Sequence, residues 1–156
     1  MIRLFVLIIA LVGIVTIVLA LVRADAPHVS VTTDNTAVVI MGGEDFRVAV
    51  ADNSATRVQG LSGRTGLPEN EGLLFVFERA GQHGIWMKDM QFAIDIIWID
   101  ANGAIVHIEH VVAPETFPHI FVSDTDALYV LEVKAGEAER VGVSVGDYVT
   151  LPRLDN

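Results

Sequence analysis

The stretch IDIIWI, residues 94–99, constrains the fold of this chain more than any other feature, because it is apolar on both faces of a β-strand. Successive side chains of a strand point to opposite faces, so one face carries Ile94, Ile96 and Trp98 and the other carries Asp95, Ile97 and Ile99. A strand of this composition is covered on both sides. Asp95 is then buried as well, and a buried carboxylate needs a cation or several hydrogen-bond donors.

Other short apolar segments follow one another along the chain, with turns between them. They read FRVAVA (46–51), LLFVF (73–77), GIWMK (84–88), AIVHIEHVV (104–112), ALYVLEV (127–133) and GVSVGDYVTL (142–151). Capping residues at 52–54 predict a short helix that reaches about Leu61, and AGEAERVG (135–142) predicts a turn or one short helix. The pattern predicts a β-rich α+β domain: a small barrel-like or strongly curled mixed sheet with one or two short helices.

The N-terminal segment predicts a membrane anchor. Between Arg3 and Arg23 the 19 residues 4–22 carry no charge and are almost all apolar. As a helix they would span roughly 28 Å, close to the hydrocarbon thickness of a bilayer. A cleaved secretory signal is the alternative, since residues 24–26 read Ala-Asp-Ala. However, Pro27 would follow that cut, and the apolar run is longer than is typical of a signal peptide.

These features divide the chain into four parts. We predict a transmembrane signal-anchor at 1–23, a linker with one or two short strands at 24–45, the β-rich domain at 46–152 and a tail at 153–156. The prediction is a single-pass protein of the cell membrane with its domain on the extracytoplasmic, periplasmic side. Cleavage of the signal would make it a secreted protein.

The charge balance and the absence of cysteine exclude several classes of function. The net charge is −10, and outside residues 1–26 there are 19 acidic and 8 basic residues. An acidic surface repels phosphate backbones, so we predict no nucleic-acid partner. Without cysteine there is no disulfide, thiol nucleophile, iron–sulfur cluster or cysteine-bound zinc.

Several spaced motifs resemble a known family. They are GLSGR (60–64), LP (67–68), GLLFVF (72–77), WMKDM (86–90), IDIIWID (94–100), YVLEV (129–133), AG (135–136) and VGD (145–147). Together they are similar to the secreted or membrane-anchored bacterial and archaeal proteins of the domain of unknown function 192 family. The resemblance implies a compact β-rich domain that is commonly exported. It implies no established activity, cofactor or substrate, and Asp89 and Ala93 stand where asparagine and proline are common.

Polar residues within these apolar motifs form the candidate ligand-binding site. They are Arg64, Trp86, Lys88, Asp95 and Glu132. In one interpretation Arg64 and Lys88 hold an anionic or hydroxylated ligand at a cleft, and Trp86 lines that cleft. In the other, the charges form two buried ion pairs that fix the geometry between strand and loop, and Trp86 fills the core. The sequence leaves both interpretations open.

Three other motifs lack the residues that their chemistry requires. In HIEH (107–110) His107 and Glu109 share one strand face and His110 lies on the other, so a metal site needs a third ligand from elsewhere, such as His119 or Asp124. SDTD (123–126) lacks the glycine and glutamate of a calcium loop. GLSGR places Arg64 where the nucleophile elbow of serine hydrolases needs glycine. We therefore predict no metal, no cofactor and no catalytic residue.

The sequence favours a ligand-binding or accessory module of the cell envelope. Its partners would be the membrane, through the N-terminal helix, and a small anion, a glycan or a loop of an envelope protein. One alternative is an envelope-directed hydrolase that uses Asp95 and Glu132 as a carboxylate pair, which requires both groups to flank an open cleft. Another is a purely structural partner in a membrane complex, which predicts an exposed apolar patch.

Overall fold

The computed structural model describes residues 35–153 of the protein. Its strands are β1 (Thr36–Met41), β2 (Glu44–Ala51), β3 (Glu71–Gly81), β4 (Ile85–Trp86), β5 (Ile94–Ile99), β6 (Ile105–Val112), β7 (Ile120–Phe121) and β8 (Ala127–Lys134). Its helices are α1 (Ser54–Gln59) and α2 (Glu137–Arg140), with a 3₁₀ turn at Pro114–Thr116. The β-rich composition and the two short helices confirm the predicted fold class.

Six of the strands form one mixed sheet in the order β1-β2-β3-β8-β5-β6. The β2–β3 pair is parallel, and the other neighbouring pairs of this sheet are antiparallel. A parallel pair needs a crossover connection, and α1 with its following loop supplies it between β2 and β3. β4 and β7 form a separate two-stranded sheet.

The sheet is open, so the expected closure into a barrel is wrong. β1 and β6 are its two edge strands in the described part of the chain. The segment after α2 crosses from one edge to the other and forms one isolated bridge at each, Ile40 with Thr150 and Ala104 with Tyr148, with backbone hydrogen bonds around them. Gly142 and Gly146, both at positive φ, turn this segment repeatedly. It therefore never forms the continuous strand that would close the barrel.

Strand β5 is buried on both faces, as its sequence predicts. All six of its residues are buried, and the five apolar ones divide between two hydrophobic clusters. Ile97 and Ile99 pack in one cluster, and Ile94, Ile96 and Trp98 pack in the other. The Trp98 indole N–H also donates to the His83 carbonyl at 2.9 Å, which satisfies its one polar atom. β5 lies between β8 and β6, and its coverage on both faces anchors this side of the sheet.

The folded domain begins before the predicted boundary. β1 lies within 24–45, the range expected to be a linker with one or two strands, and the boundary at Phe46 falls inside β2. The alternating burial of β1, with Val39 and Met41 fully buried, explains why it pairs with the sheet. The predicted anchor lies outside the described residues. Within 35–153, no helix has the length and apolar character needed to cross a membrane.

Helix α1 lies over the end of β3 and is fixed there by its polar contacts. Asn53 caps it: the Thr56 N–H donates to Asn53 Oδ1 at 3.0 Å, and the Asn53 N–H donates to Thr56 Oγ1 at 3.3 Å. Arg57 donates to the Val76 carbonyl of β3 at 2.9 Å. Gly60, at φ 51°, ends the helix. This placement creates a recess between α1, β3 and β4.

Candidate functional site

Asp95 is a structural clamp and lies outside any cleft. It is fully buried, and backbone N–H groups surround its carboxylate. Val111 donates to it at 2.8 Å, Gly136 at 3.0 Å and Ala138 at 3.0 Å. These donors satisfy the charge without Arg64 or Lys88. The predicted ion pair and the predicted ligand contact are therefore both wrong for Asp95, because β6 and the chain around the start of α2 provide the donors.

The Asp95 clamp also holds a backbone distortion in β6. Val111 has φ 52°, which is an unfavourable conformation for a β-branched residue. The pairing of β5 with β6 shifts register beside it, between Ile94 and Ile96. The hydrogen bond from the Val111 N–H to Asp95 fixes this bulge. The role of Asp95 is thus to join β5, β6 and the start of α2.

Glu132 is buried on the opposite face of the sheet from Asp95. In the β5–β8 pair, Ile96 is opposite Glu132 and Asp95 is opposite Val133. Directly paired residues project to the same face, and neighbours along a strand project to opposite faces. Since the sheet separates the two carboxyl groups and Asp95 is sealed from solvent, they cannot flank one cleft. The predicted carboxylate-pair hydrolase is wrong.

The Glu132 carboxyl lacks a hydrogen-bond partner in the described part of the chain. The residue is only 4% exposed, and its Oε2 atom is buried and unpaired. Burial raises the pKa of Glu132 to about 8, and the positive charge of Arg64 offsets part of that rise. At pH 7 the group is therefore mostly a neutral acid, with one O–H donor and acceptor capacity.

Glu132 lines a cavity of about 60 Å³ between α1, β3 and β4. We call this space the Glu132 cavity. Its walls include Phe75, Ile85 and Met90, and the chain that follows α1 contributes Gly60 and Ser62. One water needs about 10–15 Å³ of such volume, so a hydroxyl or hydroxymethyl group fits. A buried acid without a hydrogen-bond partner at the wall of a small recess can fix one polar group of a ligand.

A surface groove of about 350 Å³ lies beside the cavity. We call it the α1 groove, and it is lined by Ala55, Val58, Gln59, Ser62, Gly63, Trp86, Lys88 and Asp89. The groove and the cavity share Val58, Gln59, Ser62 and Trp86. Val58 is 74% exposed and Trp86 is 46% exposed, so this shared boundary is open to solvent.

The WMKD motif forms one wall of the α1 groove. Met87 is buried and anchors the motif, while Trp86 and Lys88 are exposed, with the Lys88 ammonium 5.8 Å from the centre of the Trp86 ring. Asp89 has φ 56°, a left-handed conformation that aspartate and asparagine adopt more readily than most residues. This conformation explains why either residue suits the position.

The GLSGR motif forms the facing wall and is bonded to WMKD. The Ser62 hydroxyl donates to the Lys88 carbonyl at 2.8 Å, and the Gly63 N–H donates to the Asp89 carbonyl at 3.0 Å. Ser62 thus positions the groove rather than acting as a nucleophile. Arg64 follows it on the surface and makes no salt bridge within residues 35–153, and the same is true of Lys88.

The structure brings together four of the five predicted site residues. Trp86, Lys88 and Glu132 line the connected cavity and groove, and Arg64 lies near enough to act on the Glu132 charge. Sequence reasoning missed the contribution of Val58 and Gln59 from α1 and that of Phe117, which packs edge-on against Trp86 with ring centres 5.9 Å apart. Val58 is the one large apolar residue in α1, and this was the sequence feature that could have identified the contribution of the helix.

The remaining motifs do not form sites in the described region. His107 pairs with Glu109 at 3.0 Å on the surface of β6. Across residues 35–153, no group of three or more metal-binding side chains converges. In the SDTD turn the Ser123 hydroxyl donates to the Thr125 carbonyl at 2.8 Å, which is a local turn contact.

Fold and site together define a β-rich domain with a buried acid beneath an aromatic surface groove. The chain belongs to the domain of unknown function 192 family: the family model, described as uncharacterized ACR, matches residues 37–151. This match confirms the resemblance seen in the sequence motifs. No curated protein matches the chain.

Two crystal structures are similar to this chain. One is a protein from Sinorhizobium meliloti 1021 described as a "putative transcription regulator", with 31% identity over 72% of this chain and 89% of that one and a TM-score of 0.67. The other is a protein of unknown function from Novosphingobium aromaticivorans, with 28% identity over 74% of this chain and 85% of that one and a TM-score of 0.70.

Proposed function

We propose that this protein is a membrane-tethered, extracytoplasmic binding domain that holds a small polar ligand in the Glu132 cavity and the α1 groove. The observation that carries the proposal is the Glu132 carboxyl, which is buried without a partner and lines a cavity that opens beside an exposed tryptophan. A buried polar group without a partner costs free energy. A ligand that supplies the missing hydrogen bond recovers that cost, which makes the site selective.

A glycan is the ligand that suits this arrangement best. A sugar hydroxyl both donates and accepts, so it satisfies a protonated Glu132. The apolar face of a sugar ring packs on a flat aromatic surface such as the half-exposed Trp86 indole. The groove volume of about 350 Å³ lies at the lower end of the range for small-molecule sites.

Two features support the proposed location and partners. The uncharged run at 4–22 is long enough for a membrane anchor. The excess of acidic residues outside that segment opposes binding to nucleic acid, so the description of the S. meliloti protein is not carried over to this chain.

A thermal-shift and calorimetry screen tests the binding proposal. The full chain, purified in detergent, is titrated with panels of neutral sugars, acidic sugars, small carboxylic acids and amines. We expect at least one panel to raise the melting temperature, because a ligand at about 100 times its Kd stabilises the folded state by about 2.7 kcal/mol. If no panel shifts the melting temperature or releases heat, the proposal fails.

Matched variants place the response at the site. Trp86→Ala removes the exposed aromatic face. We therefore expect this variant to need at least ten times more ligand for the same rise in melting temperature. Tyr148→Ala is the control, since Tyr148 is 71% exposed and lies outside the groove lining. A ligand response equal in Trp86→Ala and the wild type would place binding elsewhere.

Exposed apolar side chains on the β4–β7 sheet favour a second candidate function, contact with an envelope protein. Trp86, Phe117, Ile120 and Val122 are between 41% and 53% exposed. Such a surface suits a protein partner as well as a ligand. Crosslinking in membranes tests this candidate. Ile120→Asp should remove the crosslinked partner and leave sugar binding intact. If Ile120→Asp loses sugar binding and keeps the crosslinked partner, this candidate is rejected.

A further inference from the structure

We propose that the ligand is an acidic sugar, with one hydroxyl in the Glu132 cavity and its carboxylate in the α1 groove near Lys88 and Arg64. This inference rests on the proposed binding function and specifies its ligand. Nothing in the family description or in the two similar structures names such a site. It follows from the positions of the buried acid, the exposed aromatic ring and the two cations around the cavity and the groove.

The cavity determines which group of the ligand enters. Glu132 is 4% exposed, has an unpaired oxygen, and lines a space of about 60 Å³. That space admits a hydroxyl or a hydroxymethyl group but no complete sugar ring. The other polar side chains around it donate elsewhere, because Arg57 donates to backbone carbonyls, Gln59 donates to the Ser62 carbonyl and Ser62 donates to the Lys88 carbonyl. The entering hydroxyl therefore bonds to Glu132.

The boundary shared by the two spaces determines where the sugar ring lies. Because Val58, Ser62 and Trp86 line both the cavity and the groove, a hydroxyl inserted in the cavity leaves its ring at the groove. The ring then meets the exposed Trp86 indole on one side and the end of α1 on the other. The two adjoining spaces thus place the ring of the ligand beside Trp86 and its inserted hydroxyl beside Glu132.

The charges around the groove determine what else the ring carries. The Lys88 ammonium is 5.8 Å from the Trp86 ring centre and lines the groove, and Arg64 follows the groove wall on the surface. Neither makes a salt bridge within residues 35–153, whereas Arg57, Lys134 and Arg140 all do. Asp89 is the opposing negative charge of the groove lining. The groove lining holds Lys88 and Asp89, and Arg64 adjoins it directly after Gly63, so two cations stand against one carboxylate here, which favours an anionic substituent.

Three matched sugars test this inference on the full chain in detergent at pH 7. They are D-glucuronate, D-glucose and D-glucosamine, which share one ring and carry an anionic, a neutral and a cationic substituent. By calorimetry we expect glucuronate to bind at least tenfold more tightly than glucose, and glucosamine to bind more weakly than glucose. Equal or tighter binding of glucose or glucosamine overturns the inference.

Charge variants separate recognition of the carboxylate from recognition of the ring. Lys88→Met should weaken glucuronate about tenfold and change glucose affinity less than twofold. Lys134→Met is the control, because the Lys134 ammonium lies 3.2 Å from Glu69, away from the groove. If Lys88→Met and Lys134→Met affect glucuronate equally, the carboxylate does not bind at Lys88 and the inference is overturned.

The outcomes distinguish this inference from the function on which it rests. If glucuronate fails to bind but another panel of the screen binds at Trp86, the acidic-sugar assignment is overturned and the binding domain stands. If no panel binds, both are overturned.

Glu132→Gln keeps a donor and an acceptor in the same shape, so it should retain binding to the three sugars. Glu132→Leu should lose it while the melting temperature shows that the variant is folded.

Discussion

At the scale of single residues, two buried carboxyl groups differ because their hydrogen-bond environments differ. Asp95 accepts from three backbone N–H groups, whereas Glu132 has no partner among the described residues. A carboxylate surrounded by backbone donors holds the backbone in place. A carboxyl without donors is held as a neutral acid and is available to a ligand. The residue type alone does not distinguish these two roles.

Replacing Asp95 tests the clamp. Asp95→Ala leaves three N–H groups without their acceptor, two of them part-buried and one buried, and a buried donor left unpaired costs about 1–3 kcal/mol. We expect the free energy of unfolding, measured by urea denaturation, to fall by about 3–5 kcal/mol. Asp126→Ala is the matched control, because Asp126 is exposed and should change stability by less than about 0.5 kcal/mol. Equal stability of the two variants would show that the clamp contributes nothing.

The protonation of Glu132 makes stability depend on pH. Its pKa is about 8 in the folded state and near 4.5 in the unfolded chain, so the folded state binds the extra proton between these values. The contribution of Glu132 is therefore fully present below pH 4.5 and is lost as pH rises through 8. Glu132→Gln removes this dependence.

We expect Glu132→Gln to gain stability relative to the wild type as pH rises from 5 to 9. The measurement is urea denaturation of both proteins at pH 5, 7 and 9, with Glu78→Gln as the control because that carboxylate is exposed. A constant difference between Glu132→Gln and wild type across this range would show that the acid is not buried as described.

The sequence predicted the site only in part, for reasons that lie in long-range contacts. Trp86, Lys88 and Glu132 were identifiable because polar or aromatic residues stood out within apolar motifs. The donors to Asp95 were not, since Gly136 and Ala138 lie 41 and 43 residues further along the chain. Local spacing carries no information about which distant backbone turn will supply an N–H group.

At the scale of elements, α1 matters because it forms one wall of both the cavity and the groove. It has six residues, none of them buried, so packing alone holds it weakly. Its capping box and the bond from Arg57 to the Val76 carbonyl supply most of its visible contacts. The geometry of the site therefore depends on a few polar interactions at one short helix.

Removing the cap tests this dependence. Asn53→Ala deletes the acceptor for the Thr56 N–H, and we expect a loss of about 1 kcal/mol in the free energy of unfolding together with weaker ligand binding. Asn53→Ser is the matched control, because serine is also a good N-cap and should preserve both properties. Ligand affinity that is equal in the two variants would show that the site does not depend on the α1 cap.

Elements were more predictable than their arrangement. The covered strand β5, the β2 strand and the cap of α1 all followed from local pattern. The parallel pairing of β2 with β3, and the central position of β8 between β3 and β5, did not. Apolar strands of similar length permit several orders, so local pattern did not select among them. The sequence also left a barrel-like and a curled mixed sheet open, and the irregular segment after α2 leaves the mixed sheet unclosed.

At the scale of the whole molecule, the proposed tether and the proposed site belong to one function. An acidic domain held outside the membrane repels anionic lipid headgroups. Its groove nonetheless carries a local positive balance from Lys88 and Arg64. An anionic envelope saccharide would therefore meet a small favourable patch on a surface that otherwise repels it, and this contrast restricts binding to the groove.

The location can be measured because the chain contains no cysteine. A single Val145→Cys variant, at a position that is 61% exposed, is expressed in a bacterial host and treated in intact spheroplasts with a membrane-impermeant maleimide. An extracytoplasmic domain should be labelled before lysis and should remain with the membranes after carbonate washing. Val143→Cys is the matched control, since Val143 is 8% exposed and should react slowly in the folded protein. Labelling of Val145→Cys only after lysis would place the domain in the cytoplasm and reject the proposed location.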